Sequence, residues 1–245
     1  YGAIELWFAD VDAHVAAGGS HAAIRRALDA AALELPTMIY LGGWFECEDA
    51  AWPGKRDECV RRLTEAAALG ARRVIAGPPP GRCDVRLGAR RYRELLELGT
   101  GIGVLPAMEF LGFVEQYCTI EAAMEVLALA AHPAGTLVLD PFHVFRGGGS
   151  VEAMAQLTAG KIAISHFNDT PALPPREQQQ DADRVWPGAG HLDLARYLQL
   201  LRGTGYQGWL SLELFREELW RQDALNVARE GLRRMRRVVE EGISL

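Results

Sequence analysis

Short apolar runs alternate with longer amphipathic stretches along the whole chain. Each apolar run is four to six residues long and rich in Leu, Ile, Val and Ala, which is typical of a buried β-strand. We predict seven strands, at residues 3–8, 37–41, 73–76, 104–109, 136–140, 161–166 and 209–213. The runs recur over the full length, which indicates a repeated unit of strand and connection.

The stretches between the predicted strands carry apolar residues at helical spacing. We predict helices at residues 20–33, 57–71, 89–98, 119–131, 151–157, 192–202 and 223–240. Ser20 is in the position of a helix cap, and Gly and Pro residues mark the junctions between elements. Because parallel neighbouring strands need long crossover connections, strands separated by helices indicate a parallel sheet.

This order predicts an α/β protein, a (β/α)8 TIM barrel that forms a single domain over residues 1–245. The seven strand–helix units have the spacing of an eight-fold barrel of about 250 residues. We therefore expect that the first strand and helix precede Tyr1 and are missing here. A doubly wound open sheet is the alternative, but no Gly-rich phosphate loop follows an early strand. Residues 170–190, rich in Pro, Gln and Asp, are predicted to form a long loop over one barrel face.

Composition argues against several classes of function. Apolar residues make up 49% and charged residues 24%, the proportions of a soluble globular protein. The net charge of −6 argues against a nucleic-acid partner, which needs a concentrated basic surface. No apolar run reaches the roughly 18 residues of a membrane span, so no membrane association is expected. The four cysteines show no CxxC pairing, so the expected location is the reducing cytoplasm.

Four of the predicted strands end on residues that can bind a metal ion, namely Glu109, Asp140, His166 and Glu213. The carboxyl ends of barrel strands share one rim, where the active sites of TIM barrels lie. Three carboxylates at one rim repel one another unless a cation neutralises them, so we predict a divalent metal site. Taken singly, each residue is more often a helix cap or a partner in a loop salt bridge. Four of them on successive strands favour the metal.

The donor set of this predicted site combines three carboxylates with one imidazole. Such ligation suits Mn²⁺, Zn²⁺, Co²⁺ or Mg²⁺, and the sequence does not choose among them. Asn168 and Asp169 follow the histidine closely along the chain. They either orient His166 through hydrogen bonds or cap the turn after the strand, and both interpretations stay open.

The sequence motifs around these residues are more specific than the spacing of the residues. They are Glu-Phe-Leu-Gly at 109–112, Leu-Val-Leu-Asp at 137–140, His-Phe-Asn-Asp at 166–169, Asp-Arg-Val-Trp-Pro-Gly at 183–188 and Leu-Glu-Leu-Phe-Arg at 212–216. Together these motifs resemble the xylose-isomerase-like, or AP-endonuclease-2-like, TIM-barrel superfamily of sugar isomerases and epimerases. Within it they are most similar to the inosose (2-keto-myo-inositol) isomerases of bacterial inositol catabolism. The resemblance is strong from Glu109 to Arg216.

The resemblance implies a role for each matching residue. It implies that one divalent ion is bound by Glu109, Asp140, His166 and Glu213. The preferred ion is Mn²⁺ or Zn²⁺, with Mg²⁺ or Co²⁺ as alternatives. His143 and Arg184 would hold substrate hydroxyls. Glu115 would line the pocket as its counterpart does in ketose 3-epimerases, although residues 113–117 depart from the inosose isomerase pattern. The implied partner is a small polyhydroxy ketone, and a homodimer is among the oligomeric states this allows.

The chemistry expected of these residues is proton transfer next to a carbonyl. A metal that binds the carbonyl and the neighbouring hydroxyl stabilises the resulting enediolate as a Lewis acid. A carboxylate beside the carbon then moves the proton, and Glu109 and Glu213 are the candidates. Two bases on opposite faces would permit epimerisation, whereas one base suffices to move a carbonyl along a ring. The sequence leaves both schemes open.

Three other functions fit the same barrel less well. Dehydratases of keto-inositols or dehydroshikimate share the metal chemistry and differ in whether the enediolate loses hydroxide. An AP endonuclease needs further histidine ligands, but Val185 stands where that family has a histidine, and the net charge is acidic. A non-catalytic sugar-binding protein would be expected to lose a metal ligand or a base, and none is missing from the motifs.

Overall fold

The computed structural model describes residues 1–243, and strands and helices alternate through them. The strands are β1 (Leu6–Trp7), β2 (Thr37–Leu41), β3 (Arg73–Ala76), β4 (Leu105–Glu109), β5 (Leu137–Leu139), β6 (Ile162–His166) and β7 (Leu210–Ser211). The α-helices are α1 (Phe8–Ala16), α2 (His21–Ala30), α3 (Trp52–Leu69), α4 (Val85–Ile102), α5 (Ile120–Ala130), α6 (Pro141–Arg146), α7 (Leu194–Gly203), α8 (Glu217–Trp220) and α9 (Ala224–Ile243). All seven predicted strands are therefore confirmed, with ends shifted by a few residues.

The chain divides into two compact units whose boundaries fall at the end of β4, within α5 and within β5. The first unit consists of Tyr1–Glu109 and Ala122–Val138. The second consists of Phe110–Glu121 and the residues from Leu139 onward. The expectation of a single domain over residues 1–245 stays a prediction.

In the first unit the strands are parallel, and neighbours in the sheet are neighbours in the chain. The strand pairs β1–β2, β2–β3, β3–β4 and β4–β5 are hydrogen-bonded in this order. Met38, Val74 and Ala107 on the three middle strands are fully buried. Buried parallel strands are covered by helices on their faces, which is why these segments read as continuous apolar runs. Helices α3 and α4 pack on each other and on this sheet.

Tyr92 joins α4 to the sheet of the first unit. Its side chain is fully buried, and its hydroxyl lies 3.2 Å from the carbonyl oxygen of Pro106 and 3.0 Å from that of Thr136. The backbone N–H of Thr136 donates to the same hydroxyl at 3.2 Å. One phenol group thus satisfies backbone polar groups at the start of β4 and just before β5, groups that would be costly to bury unpaired.

In the second unit β6 and β7 are parallel, with Ser165 opposite Leu210 and His166 opposite Ser211. Helix α7 packs against α9, and the hydroxyl of Tyr197 on α7 is hydrogen-bonded to Ser165 Oγ at 2.8 Å. The six-residue helix α6 begins directly after Asp140, whose carboxylate accepts hydrogen bonds from its first turn.

The stretch at residues 170–190 is a loop, as the sequence predicts. It contains two short 3-10 turns, Arg176–Gln178 and Asp181–Asp183, and one antiparallel bridge that joins Val185 to Asp169. Gln179 is fully buried within it and donates from its side-chain amide to the carbonyl oxygens of Pro171 and Pro174 at 2.7 and 2.8 Å. The loop is therefore held by internal hydrogen bonds although it lacks regular secondary structure.

The helices differ from prediction in four places. The segment expected to be helical at 151–157 is a 3-10 helix, Val151–Gln156, capped by Ser150. This segment has only six residues, two turns of 3-10 helix, and short helical pieces between other elements commonly adopt this tighter geometry. Helices α1, α6 and α8 were not predicted: α1 directly follows β1, α6 begins one residue after the apolar run of β5, and α8 is only four residues long. Among the described residues, none of the helices combines the length and the apolar character that a membrane crossing needs.

We predict that Tyr92→Phe lowers the free energy of unfolding by about 1–3 kcal/mol, because it leaves the buried backbone N–H of Thr136 without its acceptor. Urea unfolding followed by circular dichroism measures this change. Tyr206→Phe is the matched control, since its exposed hydroxyl donates to the carbonyl oxygen of Trp209 at 2.9 Å. The free energy of unfolding of the control is expected to stay within about 0.5 kcal/mol of wild type. Equal effects of the two changes would contradict the stabilising role assigned to the Tyr92 hydroxyl.

Candidate metal centre

Three of the predicted metal ligands meet at the strand ends of the second unit. Asp140 directly follows β5, His166 is the last residue of β6, and Glu213 lies two residues beyond β7. One ligand atom from each of the three lies within 4.8 Å of the others. The side chains of Asp140 and His166 are 1% exposed and that of Glu213 is 15% exposed. These three side chains at strand ends therefore converge, as the order of strands and helices predicts.

The spacing of the three side chains fits a metal ion. Nδ1 of His166 is 3.1 Å from Oε2 of Glu213 and 3.6 Å from Oδ2 of Asp140. Ligand bonds to Zn²⁺ are about 2.0–2.2 Å long, so two ligand atoms of one ion lie up to about 4.4 Å apart. Two carboxylate oxygens and an imidazole nitrogen are also a donor set that first-row divalent metals accept.

Both carboxyl groups of this cluster are held in the ionised form. Burial alone raises the pKa of Asp140, but the guanidinium of Arg184, together with the imidazoles of His143 and His166, outweighs it and holds the pKa far below its usual value. Burial likewise opposes ionisation of Glu213, but His166 and Arg184 lower its pKa to about 2. Ionised carboxylates are the form that binds cations and that can accept a proton.

Asp140 is fixed from two sides. Its Oδ1 accepts hydrogen bonds from the backbone N–H groups of Phe142, at 2.7 Å, and His143, at 3.4 Å, in the first turn of α6. The side-chain amide of Asn168 donates to both carboxylate oxygens at 3.1 Å, and its own oxygen accepts from Phe142 N at 3.2 Å. Asn168 therefore orients Asp140, which is neither of the two roles that the sequence suggested for it.

Arg184 is brought to this cluster by the 170–190 loop. Its guanidinium is 1% exposed and forms ion pairs with Asp140 at 3.4 Å, with Asp181 at 2.9 Å and with Glu213. Burial lowers the pKa of Arg184, but these three acids raise it more strongly. Three acids face one guanidinium here, which leaves a net negative charge that a divalent cation would balance.

Aromatic rings and an imidazole surround the same guanidinium. Arg184 Cζ lies 4.8 Å from the ring centre of Phe142 and 5.1 Å from that of Phe215. Nη2 of Arg184 is 3.0 Å from Nε2 of His143. His143 and Arg184, predicted to act together, are thus in contact.

The tautomer of His143 follows from its backbone partner. The N–H of Gly112 donates to Nδ1 at 3.1 Å, so this nitrogen carries no proton. Burial lowers the pKa of His143 to about 3, which keeps the ring neutral. In the neutral ring the proton is then on Nε2, so its 3.0 Å contact with Arg184 Nη2 joins two donors and is not itself a hydrogen bond. An acceptor placed beside both, such as a hydroxyl or carbonyl oxygen, would satisfy the two N–H groups.

Glu109 is the last residue of β4 in the first unit, and it is 5% exposed. It is opposite Val138 in the register of β4 with β5. Burial, followed by the charges of Glu109 and Glu46, raises the pKa of Tyr40 above its usual value. The role of Glu109 as the fourth metal ligand stays a prediction.

Glu115 lies in the segment Phe110–Glu121 of the second unit and is exposed to solvent. Its position differs from those of His143 and Arg184, which are buried. Its role in binding substrate stays a prediction.

Two contributors to the cluster were missed by the sequence argument. Asp181, three residues before Arg184, forms an ion pair with it, and such a pair across one turn is a signal that the loop sequence does contain. Gly112 approaches α6 so closely that a Cβ there would lie 2.7–2.8 Å from Arg146 Cβ, Gly147 N and His143 O. That glycine lets the backbone N–H reach His143, a requirement that only the folded structure reveals.

The chain belongs to the xylose isomerase-like TIM barrel family, whose model matches residues 1–238. The fold of this family is the (β/α)8 barrel expected from the strand–helix order.

Curated relatives lie in two functional groups. The chain is 35% identical to an inosose isomerase of Bacillus subtilis over 143 residues, which is 56% of this chain and 50% of the relative. It is 29% identical to a 3-dehydroshikimate dehydratase of Pseudomonas putida over 171 residues, 69% of this chain and 25% of the relative. The matched region thus spans about half the length of the inosose isomerase and a quarter of the dehydratase.

A solved structure is similar to this chain over its whole length. The chain superposes on the crystal structure of the IOLI protein with a binding zinc atom with a TM-score of 0.89 and 25% sequence identity. The superposition covers 100% of this chain and 90% of that one.

We predict that Asn168→Ala weakens Zn²⁺ binding roughly 10- to 100-fold, because Asp140 loses the amide that fixes both of its oxygens. Isothermal titration of metal-free protein measures the affinity. Asn226→Ala, an exposed site at the start of α9, is the matched control and should bind Zn²⁺ like wild type. Unchanged affinity in the Asn168 variant would contradict the role assigned to this amide.

Proposed function

We propose that the chain is a divalent-metal-dependent isomerase or epimerase of a small polyhydroxy ketone, such as a keto-inositol or a ketose. The observation that carries the proposal is the buried cluster of Asp140, His166 and Glu213 in contact with Arg184. The family and the inosose isomerase relatives support the same class of reaction. The four cysteines are free thiols, in keeping with a cytoplasmic location as part of this proposal.

The proposed metal ligands are Glu109, Asp140, His166 and Glu213. Glu109 is included because Val138, its register partner, precedes Asp140 by two residues, and residues two apart in extended chain point to the same face. The donor set suits Mn²⁺ or Zn²⁺, with Mg²⁺ or Co²⁺ as alternatives. When bound, such an ion supplies Lewis-acid stabilisation of negative charge on substrate oxygens.

Glu213 is the proposed proton-transfer group. Of the three clustered ligands in the second unit it is the most exposed, at 15% against 1% for Asp140 and His166. Its low pKa leaves it ionised, and thus able to accept a proton from carbon. Glu109 is the second candidate base, and epimerisation would need both while a ring isomerisation would need one.

His143 and Arg184 are proposed to hold substrate oxygens. The nitrogen atoms His143 Nε2 and Arg184 Nη2 lie 3.0 Å apart, and both are N–H donors that need an acceptor beside them. A hydroxyl or carbonyl oxygen accepts from both, which would fix the substrate next to Glu213. The ring of Phe113 lies edge-on to His143 at 5.3 Å between centres and adds an apolar wall. Glu115 is proposed as a further pocket residue by the resemblance to epimerases alone.

A dehydratase of a keto-inositol or a dehydroshikimate-like substrate is the second candidate. The similarity to the Pseudomonas putida dehydratase over 69% of this chain favours it. Both reactions begin with removal of a proton next to a carbonyl, so the residues proposed above serve either one. The difference lies in whether a hydroxyl group then leaves.

Proton exchange distinguishes the candidates. We would incubate metal-loaded protein in D₂O with 2-keto-inositol, with ketohexoses and with 3-dehydroshikimate, and follow the products by NMR. The proposal predicts deuterium at the carbon next to the carbonyl together with an isomeric product. Release of water from the substrate would support the dehydratase instead. Absence of exchange with every ketone would contradict both, and protein treated with a chelator is the control that tests the metal requirement.

We predict that Glu213→Gln lowers kcat about 10²- to 10⁴-fold with only partial loss of metal affinity, because the amide cannot accept the proton but keeps one ligand oxygen. Steady-state kinetics with the substrate found above measures the change. Glu217→Gln is the matched control, since Glu217 is exposed and pairs with Arg221. Full activity of the Glu213 variant would remove this residue from the mechanism.

A further inference from the structure

The carboxylate of Asp169 is the centre of a hydrogen-bond cluster that the proposed reaction does not use. Asp169 is 1% exposed. Its Oδ1 accepts from the backbone N–H groups of Thr170 at 2.8 Å and Leu192 at 3.1 Å, and its Oδ2 accepts from those of Gly188 at 3.1 Å and Gly190 at 3.0 Å. One side chain thus fixes the backbone at four places, three of them at the far end of the loop.

The backbone of Asp169 fastens the same loop a second time. Its N–H donates to the carbonyl oxygen of Val185 at 3.1 Å, and the N–H of Val185 donates back at 2.8 Å. Val185 directly follows Arg184. Asp169 therefore holds the loop twice. Its backbone fixes Val185, next to Arg184, and its carboxylate fixes the turn at Gly188 and Gly190.

Two glycines make this arrangement sterically feasible. Gly188 has φ +77°, a conformation that L side chains rarely adopt. A Cβ at Gly190 would overlap the carboxylate of Asp169 and the carbonyl oxygen of Thr170. The Pro-Gly-Ala-Gly sequence at 187–190 thus folds around Asp169, which explains its composition.

Arg184 depends on this backbone for the position of its charge. Its head group meets Asp140, Asp181, Glu213 and His143 simultaneously while almost fully buried. A long side chain that serves several partners tolerates little displacement of its Cα, and a shift of about 1 Å in a positioned group can cost about 100-fold in rate.

We propose that Asp169 is a positioning residue, which fixes the 184–192 segment so that Arg184 lies against the carboxylates of the cluster and holds the substrate oxygen. This inference rests on the proposed function. The sequence allows Asp169 either to orient His166 or to cap the turn after the strand, and in the structure its carboxylate accepts from the backbone of Thr170, Gly188, Gly190 and Leu192.

The test is a double-mutant cycle of Asp169→Asn with Arg184→Gln. An amide keeps the shape of the side chain but places an NH₂ group against two backbone donors. Asp169→Asn is expected to lower kcat/KM roughly 100-fold, with Zn²⁺ affinity close to that of wild type. In the Arg184→Gln background the same change is expected to have little further effect, because its target is already removed.

Asp193→Asn is the matched control, since Asp193 also accepts a hydrogen bond from a backbone N–H, that of Arg196 at 2.9 Å, and is exposed. It should leave kcat/KM within about twofold of wild type. A loss in Asp169→Asn that persists in full in the Arg184→Gln background would overturn the inference, as would wild-type kcat/KM in the single variant.

A readout without turnover separates this inference from the proposed function. In ¹⁵N-arginine-labelled protein, hydrogen exchange at Nε of Arg184 should be slow in wild type and in Asp193→Asn, because the group is buried. It should become at least about tenfold faster in Asp169→Asn and in Gly190→Ala, the second variant that disturbs the same cluster. Unchanged exchange in both variants would overturn the inference even if the enzyme were active. Faster exchange in a protein inactive toward every ketone would support it while contradicting the proposed function.

Discussion

The burial of several like charges at one set of strand ends is the constraint on which the rest of the site depends. Asp140 and Glu213 are both ionised beside His166, and Asp140 is almost fully removed from water. An ion buried without compensation costs several kcal/mol, so the surroundings must supply opposite charge and hydrogen bonds. Arg184 supplies one positive charge, and the proposed cation supplies the remainder.

The compensating groups come from two kinds of structure. The strands of the barrel and the start of α6 place Asp140 and His166, and backbone N–H groups with the amide of Asn168 hold Asp140 in orientation. The long loop instead brings Arg184 to the cluster. In α/β barrels the strands hold active-site residues in fixed positions, and the loops supply the residues that differ from one reaction to another. The Asp169 cluster gives this loop the order of a scaffold element at the point where Arg184 is needed.

Much of this could be predicted from the sequence because the responsible patterns are local. Each strand is a short apolar run, and a polar residue at its end is visible without coordinates, as at Asp140 and His166. The partners of Asn168 and Asp169 could not be predicted, because turn residues of the same type can bond to side chains or to backbone. The Asn168–Asp140 contact joins residues 28 apart in the chain, and the Asp169–Gly190 contact joins residues 21 apart. Gly112 is a similar case, since its close approach to α6 depends on packing that leaves no periodic signal.

Anomalous diffraction from crystals soaked with Mn²⁺ or Zn²⁺ tests the central claim most directly. The account predicts one strong peak within bonding distance, about 2.0–2.3 Å, of side-chain atoms of Asp140, His166, Glu213 and Glu109. A peak elsewhere, or no peak at these four residues in metal-saturated crystals, would contradict it.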